Sequence, residues 1–354
     1  MADKIAEIDT PAFVVDEAIA NRNIKRFQEY CEKQGLALRP HIKTHKTVHF
    51  AKVQMDAGAV GITCQKISEA EVMADAGIDD ILITYNIVGD AKLQRLRMLA
   101  DRVKKLSVTA DSAAVIKGLN AAFEHAENPL TVLVECDTGA GRCGVQSPDE
   151  AAELALLIKN TRGLKFGGLM TYPAVGGQPN VAEFMCAAVD LLKEKGILCP
   201  VVSSGGSPDM WSAKTDGVVT EYRIGTYIYN DRSLVENGSC DWDDCAGHVL
   251  VTIVSMPAEG RAIIDAGSKV LTSDLLGFSD YGHVVERPDI KIVSLSEEHG
   301  TLNYDAEKSL EIGQKLKIVP NHVCVVSNMF DRIWLRKENG RHEMLTIDAR
   351  GMVL

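Results

Sequence analysis

Apolar residues recur along the first two-thirds of the chain with two alternating periods. Short runs dense in Val, Ile, Leu and Ala fall at 12–15, 36–42, 59–63, 80–85, 106–110, 130–136, 164–170 and 200–203. Between them, at 17–33, 48–57, 67–76, 91–104, 113–125, 148–159 and 181–195, apolar positions return every three or four residues. The runs predict strands and the spaced stretches predict amphipathic helices; Ala20, Ile24, Phe27 and Cys31 share one face of 17–33. A run such as Thr131-Val132-Leu133-Val134 is almost continuously apolar, as expected of a strand covered by helices. Strand and helix alternating in this way predict an α/β fold with a parallel sheet. About eight such units in about 220 residues fit a closed, TIM-like (β/α)8 barrel better than an open sheet. No GxGxxG opens a helix after the first strand, which disfavours a dinucleotide fold.

Beyond Asp231 the pattern changes. Strand candidates at 249–256, 261–264, 291–295, 315–318 and 323–326 are separated by clusters of Gly, Pro, Asn and Asp, with little helical periodicity. The expected division is a barrel over 1–235 and a mostly antiparallel β domain over 236–354, with residues 1–11 free to pack on the latter.

Composition narrows the setting. Of 354 residues, 46 % are hydrophobic and 25 % charged, the profile of a soluble globular protein. A formal charge of −11 argues against a nucleic-acid or anionic-membrane surface, though a local basic pocket stays possible. No apolar run reaches the length of a membrane span, and Met-Ala-Asp-Lys-Ile-Ala-Glu shows no signal-peptide core. Nine scattered cysteines, an odd number, read as reduced thiols in a cytoplasmic protein.

Candidate chemistry gathers where the strands end. Leu36-Ala37-Leu38-Arg39-Pro40-His41-Ile42-Lys43-Thr44-His45-Lys46 turns from apolar to cationic and contains no acid. Lys43 falls at or just past the C-terminal end of its strand, where parallel α/β folds carry their chemistry. Arg39, His41, His45 and Lys46 could lower its pKa enough for Schiff-base formation; a solvated loop lysine is the plainer alternative. Further strand ends supply Gln65, Asp137-Thr138-Gly139-Ala140-Gly141-Arg142, Thr171-Tyr172, Ser203-Ser204-Gly205-Gly206-Ser207 and Arg223-Ile224-Gly225-Thr226-Tyr227. Each alone is an ordinary turn. Together they offer a hydroxyl- and glycine-rich phosphate cup, an arginine and a Schiff-base lysine, a combination that suggests pyridoxal phosphate. In the β domain, Pro320-Asn321-His322-Val323-Cys324 would place an imidazole and a thiol on one face of a strand, suited to Zn²⁺. Two ligands are few, and a buried cysteine beside a loop histidine is the alternative. His299 is a further candidate for the same site.

These segments, with Asp9-Thr10-Pro11-Ala12, Arg142-Cys143-Gly144-Val145, Asp265-Ala266-Gly267-Ser268-Lys269 and Glu298-His299-Gly300, run in order from end to end. In that order the chain resembles the fold-type III pyridoxal-phosphate enzymes of the D-threonine aldolase and eukaryotic-type D-serine dehydratase family, relatives of alanine racemase. The resemblance implies that Lys43 binds the cofactor aldehyde. It implies that Gly205, Gly206, Gly225 and Thr226 hold the phosphate with the neighbouring Ser204 and Tyr227. Arg142 is implied near the ring's phenolic oxygen, and Tyr172 near the ring and substrate, with Gln65 completing the cofactor contacts. His322 and Cys324 match the family's divalent-metal site (Zn²⁺, Mn²⁺ or Mg²⁺), which engages the substrate's β-hydroxyl.

Two departures matter. Cys324 stands where the aldolase branch more often has an acid, which is closer to the dehydratases. The segment Thr171-Tyr172-Pro173-Ala174-Val175-Gly176-Gly177 lacks the Gly-His expected after the tyrosine in both branches. The implied activity is a lyase of D-3-hydroxy amino acids with Lys43, His322 and Tyr172 in catalytic roles. Retro-aldol cleavage to glycine and an aldehyde leads, because that loop is atypical of the dehydratases. Dehydration of D-serine or D-3-hydroxyaspartate to a 2-oxo acid and ammonia is the alternative. An amino-acid racemase, with Tyr281 as opposing base, would have no use for a metal. A non-catalytic pyridoxal-phosphate carrier would not need the β domain. A homodimer acting on a small molecule, without nucleic acid or membrane, is also implied.

Overall fold

The structure, a computed structural model, describes residues 7–354. Two compact units form. One contains Arg26–Lys43, Val48–Gly225 and Met352–Leu354; the other contains the described residues up to Lys25, Thr44–Thr47 and Thr226–Gly351. Among the described residues no helix is long and apolar enough to cross a membrane.

Strand β1 (Ala12–Asp16) and helix α1 (Glu17–Lys33) open the chain. There follow β2 (Ala37–Leu38), α2 (Val48–Asp56), β3 (Ile62–Cys64), α3 (Ile67–Asp75), β4 (Asp80–Ile83), α4 (Asp90–Ala100) and β5 (Lys105–Ala110). The alternation continues with α5 (Ala113–Phe123), β6 (Leu130–Cys136), α6 (Pro148–Lys159), β7 (Leu164–Thr171), α7 (Gln178–Glu194), β8 (Val202–Ser204) and β9 (Glu221–Tyr222). Local signals explain the boundaries. Ser147 caps α6 by accepting the Glu150 N–H at 3.2 Å, Pro148 starts the helix, and Lys159 lies in its last turn.

Strands β2 to β9 form one parallel sheet in the order β2-β9-β8-β7-β6-β5-β4-β3. Its two ends meet. His41 bridges Thr63, the Ile42 N–H donates to Thr63 O at 2.9 Å, and the Thr63 N–H donates to Pro40 O at 2.7 Å. The sheet therefore closes into the expected barrel.

The other unit adds α8 (Arg232–Glu236), β10 (Gly247–Ala258), β11 (Arg261–Ile264), α9 (Ser268–Leu271), β12 (His283–Val284), β13 (Lys291–Leu295) and β14 (Gly300–Asn303). It ends with β15 (Lys315–Val319), α10 (Val323–Ser327), β16 (Arg332–Arg336) and β17 (His342–Thr346). The sheet order is β13-β14-β11-β10-β1-β16-β17, with β15 joined to β10 and β12. Every pairing is antiparallel except β1 with β16.

Three sequence expectations change. The 12–15 run, expected to open the barrel, pairs instead with β10 and β16. Phe13, Val14 and Val15 are fully buried, and an apolar run of this kind suits the middle of any sheet. The barrel's missing strand is β9, only two residues long and containing an acid, so it shows no periodicity. Finally, 323–326 forms helix α10 rather than a strand.

The barrel interior is layered. Inward positions on β5 and β6 follow a two-residue period, and Thr109 Oγ1 meets Glu135 Oε2 at 3.3 Å. Leu82, Leu133 and Met170 form an apolar layer, with Val201 packed against it. Nearer the N-terminal ends of the strands lies the buried Arg39. Its Nε donates to Glu221 Oε2 at 2.8 Å and its Nη1 to Asp80 Oδ1 at 2.7 Å. Ser203 Oγ donates to the other Glu221 oxygen at 2.6 Å. Gly61 makes room for this group, because a Cβ there would stand 2.1 Å from Arg39 Nη1. Gly61→Ala should therefore cost about 3 kcal/mol in urea unfolding, from displacing a buried ion pair. Gly77→Ala, which meets nothing within 4 Å, should cost about 1 kcal/mol for its φ of +87°. Equal costs would show that the Arg39 contact is not what requires Gly61.

Candidate active site

Lys43 lies in the turn that follows the barrel-closing bridge. Its backbone N–H donates to His41 Nδ1 at 3.3 Å. Only a lone pair can accept that bond, so the His41 proton sits on Nε2, which donates to Gln65 Oε1 at 3.1 Å. The Gln65 amide nitrogen donates in turn to Thr84 O at 2.9 Å, while Glu69 Oε2 accepts the Gln65 backbone N–H at 2.7 Å. Gln65 is thus part of a relay that fixes the Lys43 turn.

At the end of β8, Ser204 Oγ is buried without a hydrogen-bond partner among the described residues. Gly205 runs against the next strand so closely that a Cβ would stand 1.9 Å from Arg223 O. Gly206 has open space on its side-chain face, and Tyr222 Oη donates to its carbonyl at 3.1 Å. Gly225 follows β9, and Thr226 and Tyr227 begin a 3-10 turn, Thr226–Ile228. An orphaned buried hydroxyl beside a glycine with open space on its side-chain face is a donor set that fits a phosphate.

Beside it, the Arg142 guanidinium stacks over the Tyr172 ring, 4.7 Å from its centroid. The Asp137 carboxylate shapes the preceding turn by accepting the Gly139 and Gly141 N–H groups at 2.9 and 3.1 Å. Asp209 Oδ2 accepts the Gly176 N–H at 2.7 Å and ties down the loop after Tyr172. Deeper in the barrel, Arg223 Nη2 donates to Thr171 O at 2.6 Å and Nε to Ser203 Oγ at 2.8 Å. Burial pushes the Arg223 guanidinium down to about 10, against the opposing pull of Glu221 and Glu135. Burial likewise raises the Glu135 carboxyl, while Arg223 and Arg142 draw it down.

In the other unit, His322 is the N-cap of α10 and Cys324 lies in its first turn, so the pair does not share a strand face as expected. Pro320 ends β15, and the buried Asp231 carboxylate then accepts the Val323 N–H at 3.0 Å. Its other oxygen caps α8 through the Leu234 N–H at 3.2 Å and accepts from Ser233 Oγ at 2.6 Å. Burial raises the Asp231 carboxyl and these donors oppose the rise. His322 Nδ1 meets Asp274 Oδ2 at 2.7 Å, which leaves Nε2 for a ligand. Burial pushes His322 down, but Cys324 and Asp274 outweigh it and carry the imidazole up to about 9. Thr44 Oγ1 lies 3.0 Å and Thr226 Oγ1 3.4 Å from Cys324 Sγ. Thr44 directly follows Lys43, and Thr226 directly follows Gly225. His299 sits exposed in the β13–β14 turn, bonded to Ser296, and among the described residues no group of three His, Cys, Asp or Glu could hold a metal. An imidazole oriented by a carboxylate and a neighbouring thiol still suit a borderline divalent cation that takes its other ligands from water or substrate.

Comparison with known proteins decides the family. The alanine racemase N-terminal domain matches residues 15–233, and a putative serine dehydratase domain matches 246–335. The chain belongs to the fold-type III, alanine-racemase-like pyridoxal-phosphate enzymes. Within this family it is 33 % identical to a D-threonine aldolase from Arthrobacter sp., over 99 % of this chain and 94 % of that one. A crystal structure of D-threonine aldolase from Filomicrobium marinum matches with a TM-score of 0.91 at 32 % identity, covering 99 % and 98 %. D-threo-3-hydroxyaspartate dehydratase from Delftia sp. HT23 matches at 0.87 and 31 %, covering 98 % and 99 %.

Several residues of this candidate site were not singled out by sequence. Glu135 carried a signal: it continues the inward register of Thr131 and Leu133 within an apolar strand. Asp231 precedes Ser233 and a helix, a capping pattern. Asp209 and Asp274 gain their roles from partners 33 and 48 residues away, which no local pattern displays; His41 and Arg223 stood in the strand-end segments, but without the hydrogen bonds that define their roles here. Asp231→Ala leaves two helix starts uncapped and should cost about 3 kcal/mol in chemical denaturation. Near-wild-type stability would mean that water replaces both caps.

Proposed function

We propose that the protein is a pyridoxal-phosphate- and divalent-metal-dependent lyase that cleaves D-3-hydroxy amino acids to glycine and an aldehyde. The observation that carries this reading is the Thr44–Cys324 contact, since Thr44 adjoins the candidate Schiff-base lysine and Cys324 belongs to the candidate metal pair. The similarity to D-threonine aldolases supports it. Lys43 would hold the cofactor's aldehyde carbon, the Ser204 hydroxyl with Gly205, Gly206, Gly225 and Thr226 its phosphate, and Arg142, Tyr172, Gln65 and Tyr227 its surroundings. The bound cofactor supplies an electron sink at the substrate's Cα. His322 and Cys324 would hold Zn²⁺, Mn²⁺ or Mg²⁺, which supplies a Lewis acid for the β-hydroxyl.

The chain's own groups then have defined tasks. The Asp274 carboxylate keeps His322 Nε2 turned toward the cation. The Lys43 amine returns a proton to the glycine Cα after the Cα–Cβ bond breaks. Tyr172, stacked with Arg142, orients the substrate. We place these tasks in a homodimer in the cytoplasm, with the barrel ending near residue 235 and the β domain beginning near 236.

A dehydratase acting on D-serine or D-3-hydroxyaspartate is the second reading. The thiol at Cys324 and the Delftia relative favour it. There the Lys43 amine would remove the Cα proton, and the cation that His322 and Cys324 would hold would supply the Lewis acidity for loss of the β-hydroxyl.

Product analysis on D-threonine and D-serine, with and without EDTA, separates the two. Glycine and acetaldehyde from D-threonine, lost on chelation, are expected; pyruvate and ammonia from D-serine would transfer the chain to the dehydratases. Lys43→Ala should abolish the visible absorbance of bound cofactor, and a yellow, active variant would overturn the lysine's role. His322→Ala should keep that absorbance and lose most turnover. Unchanged turnover would remove the metal from the reading.

A further inference from the structure

We propose that the barrel carries a second ligand site, at the N-terminal ends of its strands, for a small carboxylate with an apolar body. A cavity of about 180 Å³ opens there, on the far side of the Leu82–Leu133–Met170 layer from the strand-end loops. Leu82, Leu133, Phe166 and Val201 form its apolar walls, and Lys105 and Lys165 bring cations to it.

Strand β7 explains why the barrel is hollow at this level. Its pairing with β6 slips between Val132↔Phe166 and Leu133↔Gly168, leaving Gly167 as the extra residue. A Cβ on Gly167 would stand 2.5 Å from Thr131 Cγ2 and 3.1 Å from Leu133 Cδ1, both groups that line the cavity. The strand therefore contributes no side chain where one would fill the lumen. Packing density allows about ten non-hydrogen atoms in such a volume.

Charge selects the occupant. Arg39, Lys105 and Lys165 bring three cations, while Glu221 and Asp80 bring two carboxylates. Arg39 is engaged with both carboxylates, and Lys105 Nζ lies 3.0 Å from Asp80 Oδ2. Lys165 forms an ion pair with none of the described carboxylates. One positive charge remains, and the hydroxyls of Ser107 and Thr131 line the same space. Apolar walls below one surplus cation and two hydroxyls fit a monocarboxylate with an aryl or branched-alkyl body. The site is independent of the reaction proposed for the loops at the other ends of the strands.

The probe is 4-bromobenzoate soaked into crystals of the holoenzyme, with bromine located by its anomalous scattering. Bromine between Leu133, Phe166 and Val201 is expected. Bromine only beside Lys43, or none at all, would overturn the site. In solution, calorimetry should show at least tenfold weaker binding for Lys165→Glu, an exposed position whose folding is checked by its melting temperature. The neutral 4-bromobenzamide should also bind at least tenfold more weakly than the acid. Equal binding of acid and amide, or a Kd above about 10 mM for the acid, would refute the charge argument.

Discussion

A guanidinium with almost no access to water must be neutralised and hydrogen-bonded where it lies, and Arg39 imposes that condition on the barrel. Its two carboxylates come from β9 and β4, so one side chain from beside β2 spans the lumen between neighbours and non-neighbours. Replacing such a group by apolar atoms often leaves stability unchanged, and its value lies in register. Glu221 must face Arg39, which makes a strand of two residues, with little pairing of its own, a definite member of the sheet. Pro40 and His41 then meet Thr63, the barrel closes, and Lys43 emerges from the turn directly beyond. The position of the candidate catalytic lysine thus follows from a charge four residues upstream.

Around that lysine the protein relies on short polar relays. From Thr84 O through Gln65 and His41 to the Lys43 N–H, each group has one role as donor or acceptor, so the imidazole has a single tautomer. Asp231 plays a comparable part in the other unit, where one buried carboxylate starts two helices and the second begins at His322. In both cases a group with no proposed chemistry of its own positions one that has it.

The parts legible in sequence were those written in continuous local pattern. The spans of β6, α1 and α6 agree residue for residue with their apolar periods, because helix and strand register repeat within each segment. The alternation also led to the closed barrel. The partner of β1 was not legible, since Phe13-Val14-Val15 would be buried equally well in either sheet. Helix α10 was hidden because Val323, Val325 and Val326 favour strands, and the Asp231 cap that starts the helix lies far away in sequence. Glycines and hydroxyls at strand ends marked the site, while the carboxylates that arrange it depend on tertiary contacts.

The pairing of β1 bears on how the chain is made. Ala12–Asp16 is among the first described segments to leave the ribosome, yet its partners lie at Gly247–Leu250 and Trp334–Arg336. Every strand of the barrel is synthesised in the interval. The apolar stretch of β1, Ala12 to Val15, must wait unpaired through that time, exposed to aggregation or chaperone capture, before its sheet can form. Sequence separation of this size also makes the closing contact slow, so the last-made strands are expected to limit the rate at which this unit becomes native.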